Sequence, residues 1–135
     1  MNLLDYDVII VGAGPGGIFA AYELKKKRPE LKVAIGGAGA FSDGKYNNTN
    51  YFGGTLFEHI GRKQAIELMR YVDEINMAHG GEGTKLYSTT GTDLKKKCMQ
   101  NKLKLLDASV RHLGTDINLV VLQRLYEELK TQVDF

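Results

Sequence analysis

One cysteine, two prolines and no tryptophan occur among the 135 residues. A single thiol, Cys98, closes no internal disulfide and builds no thiolate metal site, which excludes an oxidised scaffold and a zinc module. Scarce proline beside 16 glycines excludes collagen, and 43% hydrophobic residues exclude a disordered chain. Long apolar runs are missing as well: none approaches the roughly 20 residues of a membrane-spanning helix. Asp5 and Asp7 stand where a signal segment would carry basic and then apolar residues, so no membrane span and a cytoplasmic location are expected. An excess of one charge is also absent, with 18 Lys and Arg against 16 Asp and Glu. That net +2 is too mild to argue for a nucleic-acid partner. What remains is roughly one domain's length, enough to bury a core of α/β type.

Residues 5–11 read as a strand, because Val8-Ile9-Ile10-Val11 is the continuous β-branched run of a parallel strand buried on both faces. A helix follows over 18–28, with Ile18, Ala21, Tyr22 and Leu24 on its inner stripe. Lys25-Lys26-Lys27-Arg28 suits its C-terminal dipole, and Pro29 ends it. Residues 32–35 are a second strand, about thirty residues after the first, the length of one βαβ unit. Residues 36–54 hold neither period and read as loop. A helix is expected over 62–78 with Gly80 as its stop, then a short strand over 85–88 and a short helix capped by Thr92 or Asp93. A further strand is expected over 102–110. Gly114-Thr115-Asp116 opens a last helix with a stripe of Val121, Leu122, Leu125, Tyr126 and Leu129, and Val133-Asp134-Phe135 begins a strand.

Gly12-x-Gly14-x-x-Gly17, directly after a buried strand and opening a helix, is the dinucleotide-binding fingerprint. Gly12 permits the tight turn, Gly14 lets a pyrophosphate approach the backbone, and Gly17 lets helix and strand pack closely. Pro15 and Gly16 lie between them, at the helix N-terminus where the dipole favours phosphate. One part is missing. The carboxylate that binds ribose hydroxyls at the end of the second strand would fall near Gly36, and the first acid beyond is Asp43. Either Asp43 takes that role or a stretch between Ile35 and Gly36 is lost, and loss is the favoured account.

The residues Asp7 through Gly17, with a proline after the second glycine, resemble the start of FAD-dependent oxidoreductases with two dinucleotide-binding domains. Gly36-Gly37-Ala38-Gly39-Ala40-Phe41-Ser42-Asp43-Gly44-Lys45, Tyr71-Val72-Asp73-Glu74-Ile75 and Arg111-His112-Leu113-Gly114-Thr115-Asp116 resemble successive segments of the dehydrogenases labelled NAD(FAD)-utilising. That resemblance implies a flavoprotein oxidoreductase with FAD as cofactor and NAD(P) as electron partner, its small-molecule substrate unknown. It implies FAD contacts from Gly36, Gly37, Ala38, Ser42, Asp43 and Lys45, besides Gly12, Gly14, Pro15, Gly16 and Gly17. It places Arg111, His112, Thr115 and Asp116 on the substrate side. Members of that family are several-fold longer and carry an acidic strand end and a cysteine-containing stretch that this chain lacks, so the chain resembles an N-terminal piece with an internal deletion. The alternative expectation is a non-catalytic Rossmann-like fragment that only binds a nucleotide or self-associates.

The expected fold is therefore α/β. A Rossmann-like FAD-binding βαβ core, a three-layer parallel sheet with the first strand central, accommodates an intercalated, mostly helical segment. The expected divisions are 1–54, 55–113 and 114–135. An incomplete sheet leaves an open edge, so self-association is expected, with Val121, Leu122 and Leu125 as contacts. Other constellations favour plain readings. Arg111 can be a surface charge, and Thr115 or Asp116 a helix cap. His59 and His79 have no partner at ligand spacing, so no metal is expected, and Cys98 reads as a small packed side chain. The clusters at 25–28 and 95–97 lack interleaved aromatics and read as solvated helix ends, with no nucleic acid implied.

Overall fold

Four β-branched residues in succession form strand β1 (Val8–Val11), and the same preference for a pleated surface forms β2 (Val33–Gly36). In the computed structural model, which describes residues 5–37 and 43–135, these two strands pair in parallel from Val8↔Val33 to Val11↔Gly36. They are joined by helix α1 (Pro15–Lys27). The helix starts before Ile18 because Pro15 at its first position has a backbone angle already set for helix and no N–H to leave unpaired. It ends in Lys25, Lys26 and Lys27, and the Lys25 ammonium donates to the Leu31 carbonyl at 2.9 Å beyond the turn.

The chain divides into two compact units, residues 1–42 with 119–135 and residues 43–118. In the first, the tail adds a third parallel partner: Asp134 bridges Ala34, donating to the Val33 carbonyl at 3.0 Å and accepting from Ile35 at 2.8 Å. The centre of this sheet is thus β2, not β1 as expected. The nascent third strand pairs with β2, which leaves β1 as an edge among the described residues.

The later turns of helix α5 (Gly114–Leu129) belong to this unit, and Val121, Leu125 and Leu129 are buried on them. Ile18 of α1 and Leu122 of α5 line one cavity, so both helices share a side of the unit. The alternate residues of β1, Ile9 and Val11, are 68% and 94% exposed. Of three expected layers, the described residues therefore form two. The expected contact residues need the same correction. The helix phase turns Val121 and Leu125 into the core, while Leu119 and Val120 face outward.

The second unit carries a three-stranded antiparallel sheet in the order β3-β5-β4, made of β3 (Lys45–Asn47), β4 (Leu86–Ser88) and β5 (Ser109–His112). Lys45–Asn47 lies in the stretch read as loop. Its three residues show no period of their own and are held by pairing with Val110–His112. The unit also contains α2 (Leu56–Ile60), α3 (Arg62–Asn76) and α4 (Leu94–Gln100). The chain leaves α3 through Met77–Gly81, where Gly80 takes φ 116° as the expected stop. The expected strand over 102–110 is confined to Ser109–His112. Lys102 adopts φ 58° and Leu103 donates back to the Cys98 carbonyl at 2.8 Å, closing α4 in a turn rather than opening a strand. Among the described residues no helix is long and apolar enough to cross a membrane.

Candidate functional site

At the C-terminal end of β1 the backbone doubles back through Gly12, whose φ of 112° is the region only glycine enters freely. Its N–H donates to the Gly36 carbonyl at 2.6 Å, tying the turn to the end of β2. Gly17 sits in the first turn of α1 against that loop. A Cβ there would lie 1.8 Å from the Gly12 carbonyl oxygen and 3.2 Å from Ile10 Cγ2, so glycine is what lets helix and strand meet. Gly37 is equally tight, its Cβ position 2.4 Å from the Ala13 nitrogen.

Gly14 and Gly16 are the opposite case. A Cβ on either would meet nothing within 4 Å, so their backbone faces open space. Gly14 is the N-cap of α1 with φ −77° and makes no side-chain cap, no acidic residue stands in the first turn, and Pro15 contributes no N–H. A 13-residue helix thus presents early amides and the positive end of its dipole with no acidic residue in its own first turn. That cradle fits a pyrophosphate. Beside it is a cavity of about 250 Å³ walled by Ala13, Ile18, Gly37, Leu122, Tyr126 and Phe135, in which the two aromatic rings meet edge to face at 4.7 Å.

The end of β2 does not supply the usual ribose ligand, since Gly36 and Gly37 occupy it. Asp43 belongs to the second unit, and its carboxylate accepts from the Lys45 backbone N–H at 3.3 Å, a turn-forming contact. Lys45 is exposed on β3. Ala38 and Ser42 lie outside the described residues. Within the second unit the approach to β3 is close-packed. Gly44 has φ 64°, and its Cβ position lies 2.6 Å from the Gly114 carbonyl. The Tyr46 hydroxyl donates to Asn118 Oδ1 at 2.7 Å, and burial raises the Tyr46 pKa.

The four substrate-side residues have separate fates. Arg111 makes a bidentate pair with Asp73, at 2.7 and 3.0 Å, and donates to the Thr84 carbonyl and hydroxyl. Its side chain is 12% exposed and Asp73's is 14%, so the guanidinium is committed to the fold. Asp73 is the partner that sequence reasoning missed, 38 positions away with no local signal. His112 is exposed at the end of β5 opposite Lys45. Thr115 and Asp116 are exposed inside the first turn of α5, which begins at Gly114. Neither is therefore the cap, and Asp116 complements the dipole. Among the described residues no three His, Cys, Asp or Glu are placed to hold a metal. His79 is buried with Nδ1 2.7 Å from the Ile75 carbonyl, and Cys98 is a half-buried free thiol.

Compared with known families, the chain matches the Thi4 family over residues 1–123. Among curated proteins, it is 39% identical to the thiamine thiazole synthase of Yarrowia lipolytica over 77 residues, 57% of this chain and 22% of that protein. The thiamine thiazole synthase of Fusarium oxysporum f. sp. lycopersici is 34% identical over 114 residues, 80% of this chain and 33% of its own length. That of Eremothecium gossypii is 33% identical over 108 residues, 76% of this chain and 31% of its own. The chain thus spans between about a fifth and a third of the relatives it matches. These similarities keep the dinucleotide-binding fold but replace the NAD(FAD)-utilising dehydrogenases with thiazole synthases as its kin.

Proposed function

The chain belongs to the Thi4 family, and from that premise we propose that it is the dinucleotide-binding portion of a protein that makes the thiazole of thiamine. The observation that carries the reading is the contrast within one turn. Gly17 is walled in at 1.8 Å while Gly14 and Gly16 look onto open space at the start of α1. Such a turn is spent on bringing a backbone within reach of phosphate oxygens. Gly14, Gly16 and Gly17 hold the pyrophosphate of an adenine dinucleotide, FAD or NAD(P), and a bound FAD would supply redox chemistry that no side chain can. No dehydrogenase step is assigned.

The test is equilibrium titration of the chain with FAD and, separately, NAD. Gly14 has φ −77° and space around it, so Gly14→Val folds normally while its side chain fills the phosphate position. Binding by the parent and none by the variant supports the reading. Equal affinity overturns it. Asp43→Ala leaves affinity unchanged if the ribose carboxylate is lost, and lowers it severely if Asp43 has taken over that role.

A second reading, self-association, is favoured by the exposed Ile9 and Val11 on the uncovered face of β1. Two copies packing these faces together give a dimer in light scattering that Val11→Lys reduces to monomer. A monodisperse parent monomer rejects it.

A further inference from the structure

Within the second unit, away from any residue assigned above to cofactor, the chain forms a half-open cavity of about 410 Å³, inside the size range of small-molecule sites. One wall is a stripe of α3, Arg62, Ile66 and Arg70, at successive spacings of four. Helical rise puts the two guanidinium-bearing positions about 12 Å apart. The rest of the lining brings Asn48, Asn50 and Thr90.

The charges do not cancel. Two carboxylates line the cavity, but Asp73 is held by Arg111 and Asp107 by Lys95 at 2.6 Å. Arg62 stacks on the Phe57 ring at 4.4 Å, and Arg70 has no ion pair or hydrogen bond among the described residues. Arg70 is therefore a cation at this cavity with no anion of the described residues paired to it.

The polar groups add a second requirement. The Asn50 amide nitrogen donates to the Arg62 carbonyl at 3.0 Å, which fixes the amide's orientation. Its Oδ1 is buried with no partner. A buried orphan acceptor costs about 1–3 kcal/mol, so it calls for a donor. Thr90 spends its backbone N–H on Ser88 at 3.1 Å and keeps its hydroxyl unused.

We propose that this cavity binds a small organic oxyanion that carries a hydroxyl, with Arg70 taking the acid group and Asn50 Oδ1 accepting from the hydroxyl. Arginine suits this task because its planar fork meets two oxygens of a carboxylate or phosphate at once. The Thr90 hydroxyl donates to a remaining acid oxygen. This site is independent of the dinucleotide reading and stands or falls without it.

The probes are glycerol 3-phosphate and glycerate, titrated into the full 135-residue chain by calorimetry at constant ionic strength, with glycerol as the uncharged control. Saturable binding of either acid, and none of glycerol, is the expected result. Which acid binds identifies the natural acid group. Arg70→Gln weakens binding at least about tenfold, the scale of one charge-assisted pair, and Thr90→Val weakens it less. Lys63→Gln, which removes an exposed cation already paired with Glu67, changes nothing. Arg70 is exposed, so its variant folds, and circular dichroism checks this. The proposal is overturned if neither acid saturates, if Arg70→Gln binds as the parent does, or if Lys63→Gln weakens binding equally. It is also overturned if binding is abolished by Gly14→Val, which would place the phosphate at the start of α1.

Discussion

The glycine turn of the first unit and the sheet of the second are held by opposite means. At the turn, side chains are absent, and the structure depends on atoms approaching where a Cβ would stand, as at Gly17 and Gly37. In the second unit, long polar side chains do the joining. Arg111 ties β5 to α3 through Asp73 and to the approach of β4 through Thr84, and Tyr46 ties β3 to Asn118. A site made of missing side chains leaves its mark as a local spacing. A scaffold made of paired side chains leaves none, because the partners are far apart in the chain.

Removing one member of the arginine pair has the largest expected effect. Arg111→Met leaves Asp73 largely buried and unpaired, a loss of about 3–5 kcal/mol in denaturant unfolding. Arg111→Met with Asp73→Leu recovers most of it, since no buried charge is then stranded. Next comes the turn. Gly17→Ala forces a methyl onto the Gly12 carbonyl and costs about 3 kcal/mol, and dinucleotide affinity falls with the fold. If Gly17→Ala were neutral while Arg111→Met unfolded the protein, the turn would be looser than the contrast requires.

A smaller effect has the opposite sign. Asn76 is 1% exposed and neither amide atom has a partner, so Asn76→Leu stabilises by about 1–2 kcal/mol, read as a raised melting temperature. The smallest effect concerns Tyr46. Burial raises its pKa in the folded protein, so the unfolded chain ionises first. The contribution is complete below the ordinary tyrosine pKa of about 10 and is lost as pH rises through the higher folded value. Tyr46→Phe should flatten the alkaline fall in stability and leave the neutral range little changed apart from its lost bond to Asn118.

Much of the first unit was legible beforehand for the same reason. The β-branched run of β1, the Gly12, Gly14 and Gly17 spacing, Pro15 and the lysine-rich helix end are all signals within a few residues of what they specify. The strand order was not legible. It depends on Asp134 reaching Ala34, and nothing in either local sequence says which side of β2 the tail will take. In the second unit, β3 is three residues long and exists by pairing with β5, so periodicity could not find it. The start of β5 was displaced by Lys102, whose left-handed backbone carries no compositional mark because it is not glycine. In the candidate site, the glycine turn itself was readable as spacing. Asp43 was readable only as the nearest acid, and its contact with the Lys45 amide is a matter of turn geometry.

The central claim is that backbone amides at the start of α1, rather than side chains, receive the dinucleotide. Nitrogen-15 correlation spectra of the chain, recorded while FAD or NAD is added, test it most directly. The account predicts that the Gly14, Gly16 and Gly17 amides shift first and furthest with one of the two dinucleotides, and that the Gly16 and Gly17 amides stay unmoved in Gly14→Val. Saturable binding that leaves those three amides unmoved, or that persists with the same shifts in Gly14→Val, would contradict it.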